Sequence, residues 1–181
     1  MSGESARRAE LLEACYAHML EHGLAVPLRP LAAAVGSSPR VLLYLFGSRE
    51  ELLRAVLAHA RRWQVARMSA AAEQVVDGFE AAVTAVWDWL SAPAQRPVVR
   101  LTYEAFALSW RAEPGPWEGF ARESAREWLA LLVRAQPEVP VAEAEIRARR
   151  ALARIRGLLL DLLAGEPADR VAAAAGGWTA G

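Results

Sequence analysis

The sequence predicts an all-α chain, and three observations carry that prediction. Residues 28–53 read LRPLAAAVGSSPRVLLYLFGSREELL: two short helical pieces flank a Gly-Ser-Ser turn, and a fresh helix starts at Ser48. Elsewhere apolar residues recur at spacings of three and four, in segments closed by Pro and Gly. No stretch alternates apolar and polar residues with the period of two that a half-buried strand requires.

The first helix is predicted over residues 5–22. Leu11, Leu12, Cys15, Met19 and Leu20 form its apolar stripe, with Arg7, Arg8, Glu10, Glu13 and Glu21 around it and Gly23 at its end. It is expected to brace the segment that follows. Cys15, His18 and His22 fall at i, i+3 and i+7, but a structural zinc wants four ligands and only His59 remains, so no metal site is expected. Cys15 reads as a small core residue, and His22 suits a helix C-terminus.

Residues 28–35 and 39–45 make the next two helices. Gly36 supplies the permissive backbone that a sharp turn needs, Ser37 or Ser38 caps the second helix, and Pro39 sits at its first position, where a missing N–H costs nothing. Leu31, Ala32 and Val35 give one apolar face; Val41, Leu42 and Leu45 give the other. Helices under about 12 residues are marginal in water, so both must be packed against neighbours. This is the layout of a helix-turn-helix.

Ser48-Arg49-Glu50-Glu51 carries the capping-box pattern and opens a long helix over residues 48–68, with Leu52, Leu53, Val56, Leu57 and Ala60 on its apolar face. Such a helix spans roughly 30 Å, enough to connect two modules. Further helices are predicted over residues 73–90, 97–110, 116–136, 141–164 and 167–175, with breaks at Ser91-Ala92-Pro93, Glu113-Pro114-Gly115, Pro137 and Gly165.

Composition narrows the function classes. The 181 residues are 54% hydrophobic and 23% charged, enough for one large or two small domains with a substantial core. Formal net charge is zero, so any nucleic-acid interface must be a local patch. All 21 basic residues are Arg, which removes every mechanism that needs a lysine amine. The single cysteine excludes an internal disulfide, no basic n-region with an apolar h-region opens the chain, and no apolar run approaches the roughly 18 to 20 residues of a membrane span. A soluble cytoplasmic protein with no membrane segment is expected. The aspartates, Asp77, Asp88, Asp161 and Asp169, are scattered without a nearby His, and no nucleophile elbow, glycine-rich phosphate loop or metalloprotease pattern occurs. No enzyme, catalytic residue or cofactor is expected.

The N-terminal third of the chain resembles the DNA-binding domain of TetR-family transcriptional regulators. The matching residues are Leu11-Leu12-Glu13-Ala14 and Gly23, then Leu31-Ala32 and Val35-Gly36, then Leu42-Leu43-Tyr44-Leu45-Phe46 followed by Ser48-Arg49-Glu50-Glu51-Leu52-Leu53. The resemblance implies that the second helix of the motif enters the major groove. Arg40 would then pair with two acceptors on a guanine, and Val41 would touch a thymine methyl. Tyr44 and Arg49 would bind phosphate, Arg29 would contact phosphate or base, and Ser38 and Pro39 would place the helix start against the backbone, with Ser48 opening the next helix beside it. Leu43 and Leu45 stand where the family commonly has Tyr and His, and Pro27 stands where it has a capping Ser or Thr. These departures leave fewer polar contacts.

One such unit reads only a few base pairs, so the resemblance implies a homodimer on a palindromic double-stranded DNA operator. The dimer surface is expected on the C-terminal helices, along Ala144, Ala148, Leu152, Ile155, Leu159 and Leu162, with Ala172, Ala173, Ala174, Ala175 and Gly176 permitting close approach. Arg147, Arg150 and Arg154 would line a separate solvated face. In the middle region, Trp87, Tyr103, Phe106, Trp110, Trp117, Phe120 and Trp128 carry the aromatic weight, and the resemblance implies that they enclose a small-molecule effector oriented by Arg100, Glu104 or Ser124.

The expected organisation is a helix-turn-helix DNA-binding domain over residues 1–47, a connecting helix over 48–68 and an all-helical effector-binding and dimerisation domain over 69–181. The expected function is a repressor released from its operator by a small apolar or aromatic molecule. The competing readings are an all-helical ligand-binding or interaction protein without operator binding, and a thiol sensor acting through Cys15.

Overall fold

The computed structural model describes residues 3–72, 78–111 and 115–177. The expected helix start at residues 73–77 and the part of the expected break at residues 113 and 114 lie outside these. Among the described residues there is no strand, and nine α-helices follow one another: α1 (Gly3–His22), α2 (Leu28–Ala34), α3 (Pro39–Phe46), α4 (Arg49–Ala72), α5 (Phe79–Ser91), α6 (Arg96–Ser109), α7 (Phe120–Arg134), α8 (Val141–Ala164) and α9 (Ala168–Ala175), with a 3-10 turn at Pro93–Gln95.

The chain forms two compact units. The first combines Met1–Trp63 with Arg100–Arg122, and the second Gln64–Val99 with Glu123–Gly181. The helix expected as a separate connector thus starts inside the first unit. Residues 100–122 join that unit because Leu101, Ala105, Phe106 and Phe120 are buried in the same core as α1 to α4.

In the first unit, α1 supplies Leu11, Leu12, Cys15, Tyr16 and Met19, α2 supplies Leu31 and Ala32, α3 supplies Leu42 and Phe46, and α4 supplies Leu52, Leu53, Val56, Leu57 and Ala60. Each fully buried leucine contributes roughly 1.5–3 kcal/mol relative to exposure, which is what holds α2 and α3 helical at 7 and 8 residues. Local chemistry sets the ends. Gly36, at φ +62°, lets the Ser37 N–H reach back to the Ala32 carbonyl at 2.8 Å and close α2. The Ser38 hydroxyl accepts the Val41 N–H at 3.3 Å with Pro39 beside it, and the Ser48 hydroxyl accepts the Glu51 N–H at 3.0 Å. Pro27 leaves α2 without a side-chain cap.

In the second unit α8 packs on α5 and α9, and Ala82, Val83, Val86, Leu131, Leu132, Ile155 and Leu159 are buried. The buried amide of Gln136 donates to the Leu132 carbonyl at 3.2 Å and the Ala144 carbonyl at 3.1 Å, fastening the end of α7 to the start of α8. Arg154, expected on a solvated face, instead closes α9: its guanidinium donates to the carbonyls of Ala174, Gly176 and Gly177 at 2.6 to 2.8 Å. Cationic donors are favoured at a helix C-terminus, where carbonyls lack partners.

The helix expected over residues 116–136 begins only at Phe120. Residues 116–119 form turns in which the Glu118 N–H reaches the Gly115 carbonyl and the Phe120 N–H the Trp117 carbonyl, and Gly119 has φ +74°. Trp117 and Trp128 therefore do not share a helix face. No helix among the described residues is long and apolar enough to cross a membrane.

Candidate functional site

The outer face of α3 is the most unusual surface of the first unit. Leu42 and Phe46 are buried in the core and Leu45 packs against it, while the other face of the helix is left outward: Val41 and Leu43 are each 39% exposed, and Tyr44 is 74% exposed. Arg40, one turn before Tyr44, is exposed beside it, as are Ser38 and, on α2, Arg29. Large apolar side chains seldom gather on a short exposed helix unless something covers them. The helix is also gripped from α1. Arg8 of α1 donates to the Leu45 carbonyl at 3.2 Å and lies over the Phe46 ring at 4.8 Å from its centroid.

Two site residues of this region were not legible in sequence. Leu43 reads as a lost polar contact, yet the fold puts it on the outward face beside Tyr44. Arg8 reads as a surface charge on α1, and only the packing of α1 against α3 reveals its grip.

Arg49, expected to bind phosphate, is engaged with the chain itself. Its guanidinium donates to the Leu24 carbonyl at 3.3 Å and the Val26 carbonyl at 3.1 Å, so it ties the start of α4 to the loop entering α2. The same loop is held from α6. The Glu104 carboxylate accepts the Leu24 N–H at 3.0 Å, and Arg100 donates to the Leu20 and Glu21 carbonyls at 2.8 Å each, capping α1. Arg100 and Glu104, expected to orient an effector, are thus engaged with the backbone of the helix-turn-helix unit. The reason is that α6 from Arg100 onward packs in the first unit.

The remaining expected effector residues fall into both units. In the first, Tyr103 and Phe106 have ring centroids 5.8 Å apart, Phe106 and Phe120 also 5.8 Å apart, and Phe106 and Phe120 are buried rings of the core against which Trp117 is partly buried. Trp110, expected among the residues that enclose an effector, is instead 74% exposed, just past the end of α6. In the second unit, Trp87, Ser124 and Trp128 are buried, and Trp128 lies 6.5 Å from Trp89, centroid to centroid.

The stripe expected to form the dimer surface is corrected as well. Ala144, Ala148, Leu152, Ile155, Leu159 and Leu162 are all buried within the single chain. They face the interior because α5 and α9 pack there. About half a turn round the helix runs a second row, Ile146, Arg150, Ala153, Gly157, Leu160 and Ala164, every member exposed. Ile146 and Leu160 are 52% and 49% exposed, and a Cβ added at Gly157 would meet no atom within 4 Å.

Cys15 is fully buried, and burial pushes its thiol up to about 11. A protonated, inaccessible thiol is a poor nucleophile, so the thiol-sensor reading finds no chemistry here.

No family model and no curated protein sequence matches the chain. Solved structures do. A transcriptional regulator from Rhodococcus sp. Rha1 superposes with a TM-score of 0.76 at 22% identity, covering 93% of this chain and 91% of that one. A protein named as a transcriptional regulator from Saccharomonospora viridis, solved in complex with choline, gives 0.77 at 20% identity and 94% of each chain. A protein from Rhodococcus sp. named as a TetR-family transcriptional regulator gives 0.68 at 20% identity, covering 94% of this chain and 96% of that one. The helix-turn-helix of α2 and α3, the helices that follow it and these superpositions together show that the chain has the fold of the TetR-family transcriptional regulators.

Proposed function

We propose that this protein is a cytoplasmic, homodimeric transcriptional repressor that binds a palindromic operator through α3 and is released by a small molecule. The observation that carries the reading is the outward face of α3, where Arg40, Val41, Leu43 and Tyr44 stand exposed on a helix gripped from α1. Arg40 reads a guanine by two hydrogen bonds, Val41 and Leu43 contact thymine methyls, and Arg29, Ser38 and the Tyr44 hydroxyl bind backbone phosphates. Arg49 and Ser48 hold the frame. The helix N-terminus at Ser38 and Pro39 adds a favourable field for phosphate.

Two copies associate along the exposed row of α8 centred on Gly157, where close approach is open; a palindrome read by such a dimer presents its half-sites about 34–36 Å apart, one turn of DNA. The effector is a small apolar or aromatic molecule contacted by Trp87, Ser124 and Trp128. The choline complex of the Saccharomonospora viridis protein supports widening that class to small organic cations, which tryptophan faces attract. Because α4 starts in the first unit and ends in the second, an effector that favours a tilted α4 shifts the population away from operator-competent spacing.

The test is fluorescence anisotropy with a palindrome from the protein's own promoter region over a salt series. Arg40→Ala is expected to weaken binding by about 1–3 kcal/mol and relax specificity at one base. If Arg40→Ala binds like wild type and neither shows a log–log salt slope, the reading fails and the chain is a helical binding protein without an operator.

A further inference from the structure

The second unit carries a groove lined by no aromatic side chain. It lies between α7 and α8 with a volume of about 390 Å³. Leu129, Ala130 and Val133 of α7 line its apolar part, and Arg126 and Arg134 stand at either end of that run. Arg149 and Glu145 face it from α8.

Charge and pairing distinguish this groove from an ordinary solvated surface. Three guanidiniums and a single carboxylate meet at one place on a chain whose formal net charge is zero. None of the four side chains has a hydrogen-bond or ion-pair partner among the described residues. Glu145 and Arg149 are spaced to pair along α8, as Glu143 and Arg147 two residues earlier do pair, yet they do not. The groove therefore offers exposed cationic donors with no protein partner beside an apolar floor, in a volume within the roughly 300–1,000 Å³ of small-molecule sites.

We propose that this groove binds a small amphipathic organic anion, a carboxylate bearing a medium-length apolar tail. The carboxylate accepts paired N–H bonds from Arg126 and Arg149, whose planar forks match its geometry, and the tail lies on Leu129, Ala130 and Val133. Arg134 contributes to the field at the far end, and Glu145 opposes it. The proposal is independent of operator binding and would hold for a chain that never touched DNA.

The experiment is isothermal titration calorimetry of the full chain with octanoate, octanol and acetate. Octanoate is expected to bind once per chain, with octanol and acetate each about tenfold or more weaker, because each presents only half of what the groove reads. Arg126→Glu with Arg149→Glu should weaken octanoate about tenfold or more, Ala130→Trp should abolish binding by filling the floor, and Glu145→Gln should tighten it about two- to fivefold. These positions are on the surface, so the melting curves of the variants should match wild type; Arg126→Gln with Arg149→Gln replaces the charge reversal if its melt does not. The proposal is overturned if wild type gives no saturable heat, if octanol binds as tightly as octanoate, or if octanoate binds the charge-altered pair like wild type. It is equally overturned if that pair changes only the sedimentation of the protein, which would make the groove a contact between copies.

Discussion

Glu104 stands over Gly23: one carboxylate oxygen accepts the Leu24 N–H at 3.0 Å, and the other lies 3.0 Å from where a Cβ on residue 23 would sit. Gly23 also has φ +81°, a conformation that side chains rarely adopt. Gly23→Ala is therefore expected to destabilise the protein by about 1–3 kcal/mol through strain and crowding together. Glu104→Ala should cost about 1–3 kcal/mol by leaving the Leu24 N–H without its acceptor. The double variant should cost less than the sum, because removing the carboxylate relieves the crowding. Urea unfolding of the four proteins checks this, and strict additivity would show that the two residues are uncoupled.

Arg49 separates two roles by salt dependence. If its guanidinium serves the Leu24 and Val26 carbonyls, Arg49→Gln lowers stability by about 1–2 kcal/mol and leaves the salt slope of operator binding unchanged. If it neutralises a phosphate, the slope falls by about one unit. Arg29→Gln is expected to lower the slope in that way. Anisotropy at several salt concentrations, beside a thermal melt, distinguishes them.

The two faces of α8 should answer differently to substitution. Ile155→Ala opens a cavity in the second unit and is expected to cost about 2–5 kcal/mol of stability. Leu160→Arg, at an exposed position, should leave the fold intact while placing a charge on each side of the proposed contact between copies. Analytical ultracentrifugation is expected to show Leu160→Arg as a monomer; a dimer of wild-type affinity would move the interface elsewhere.

Alkaline pH should weaken the fold in a defined window. Burial raises the Cys15 thiol from 9.0 to about 11, so the unfolded chain loses this proton first. The stability from the neutral buried thiol is complete below pH 9 and is lost as pH rises toward about 11, by roughly 2–3 kcal/mol. Tyr16, raised from 10.0 to about 12 by burial and then by Glu13, continues the decline at higher pH. Cys15→Ala should flatten the melting temperature between pH 9 and 11; an unchanged slope would assign the decline to other groups.

Arg154 tests how α9 is held. Arg154→Ala removes the donors to the Ala174, Gly176 and Gly177 carbonyls and is expected to fray the end of α9, at a cost of about 1–3 kcal/mol. Faster hydrogen exchange confined to α9 would confirm it, and global exchange would not.

What local chemistry dictates was legible from the chain alone. Gly36, Ser38 and Pro39 bound the turn and the start of α3, Ser48 starts α4, and apolar residues at spacings of three and four mark the helices. Each of these depends only on neighbours within about one turn. Tertiary structure alone decided which side chains are buried and which are engaged. Both rows of α8 carry apolar residues at helical spacing, Ala153, Leu160 and Ala164 on one and Ala148, Leu152 and Leu159 on the other, so periodicity showed an apolar helix without telling the core row from the exposed one. Arg49, Arg100 and Glu104 have the chemistry of ligand-binding residues, but the carbonyls and N–H they serve lie 23 to 80 positions away in the chain. Partners that distant come together only when the helices pack, which is why the row that closes the core and the clamp on the turn at Gly23 could not be read beforehand.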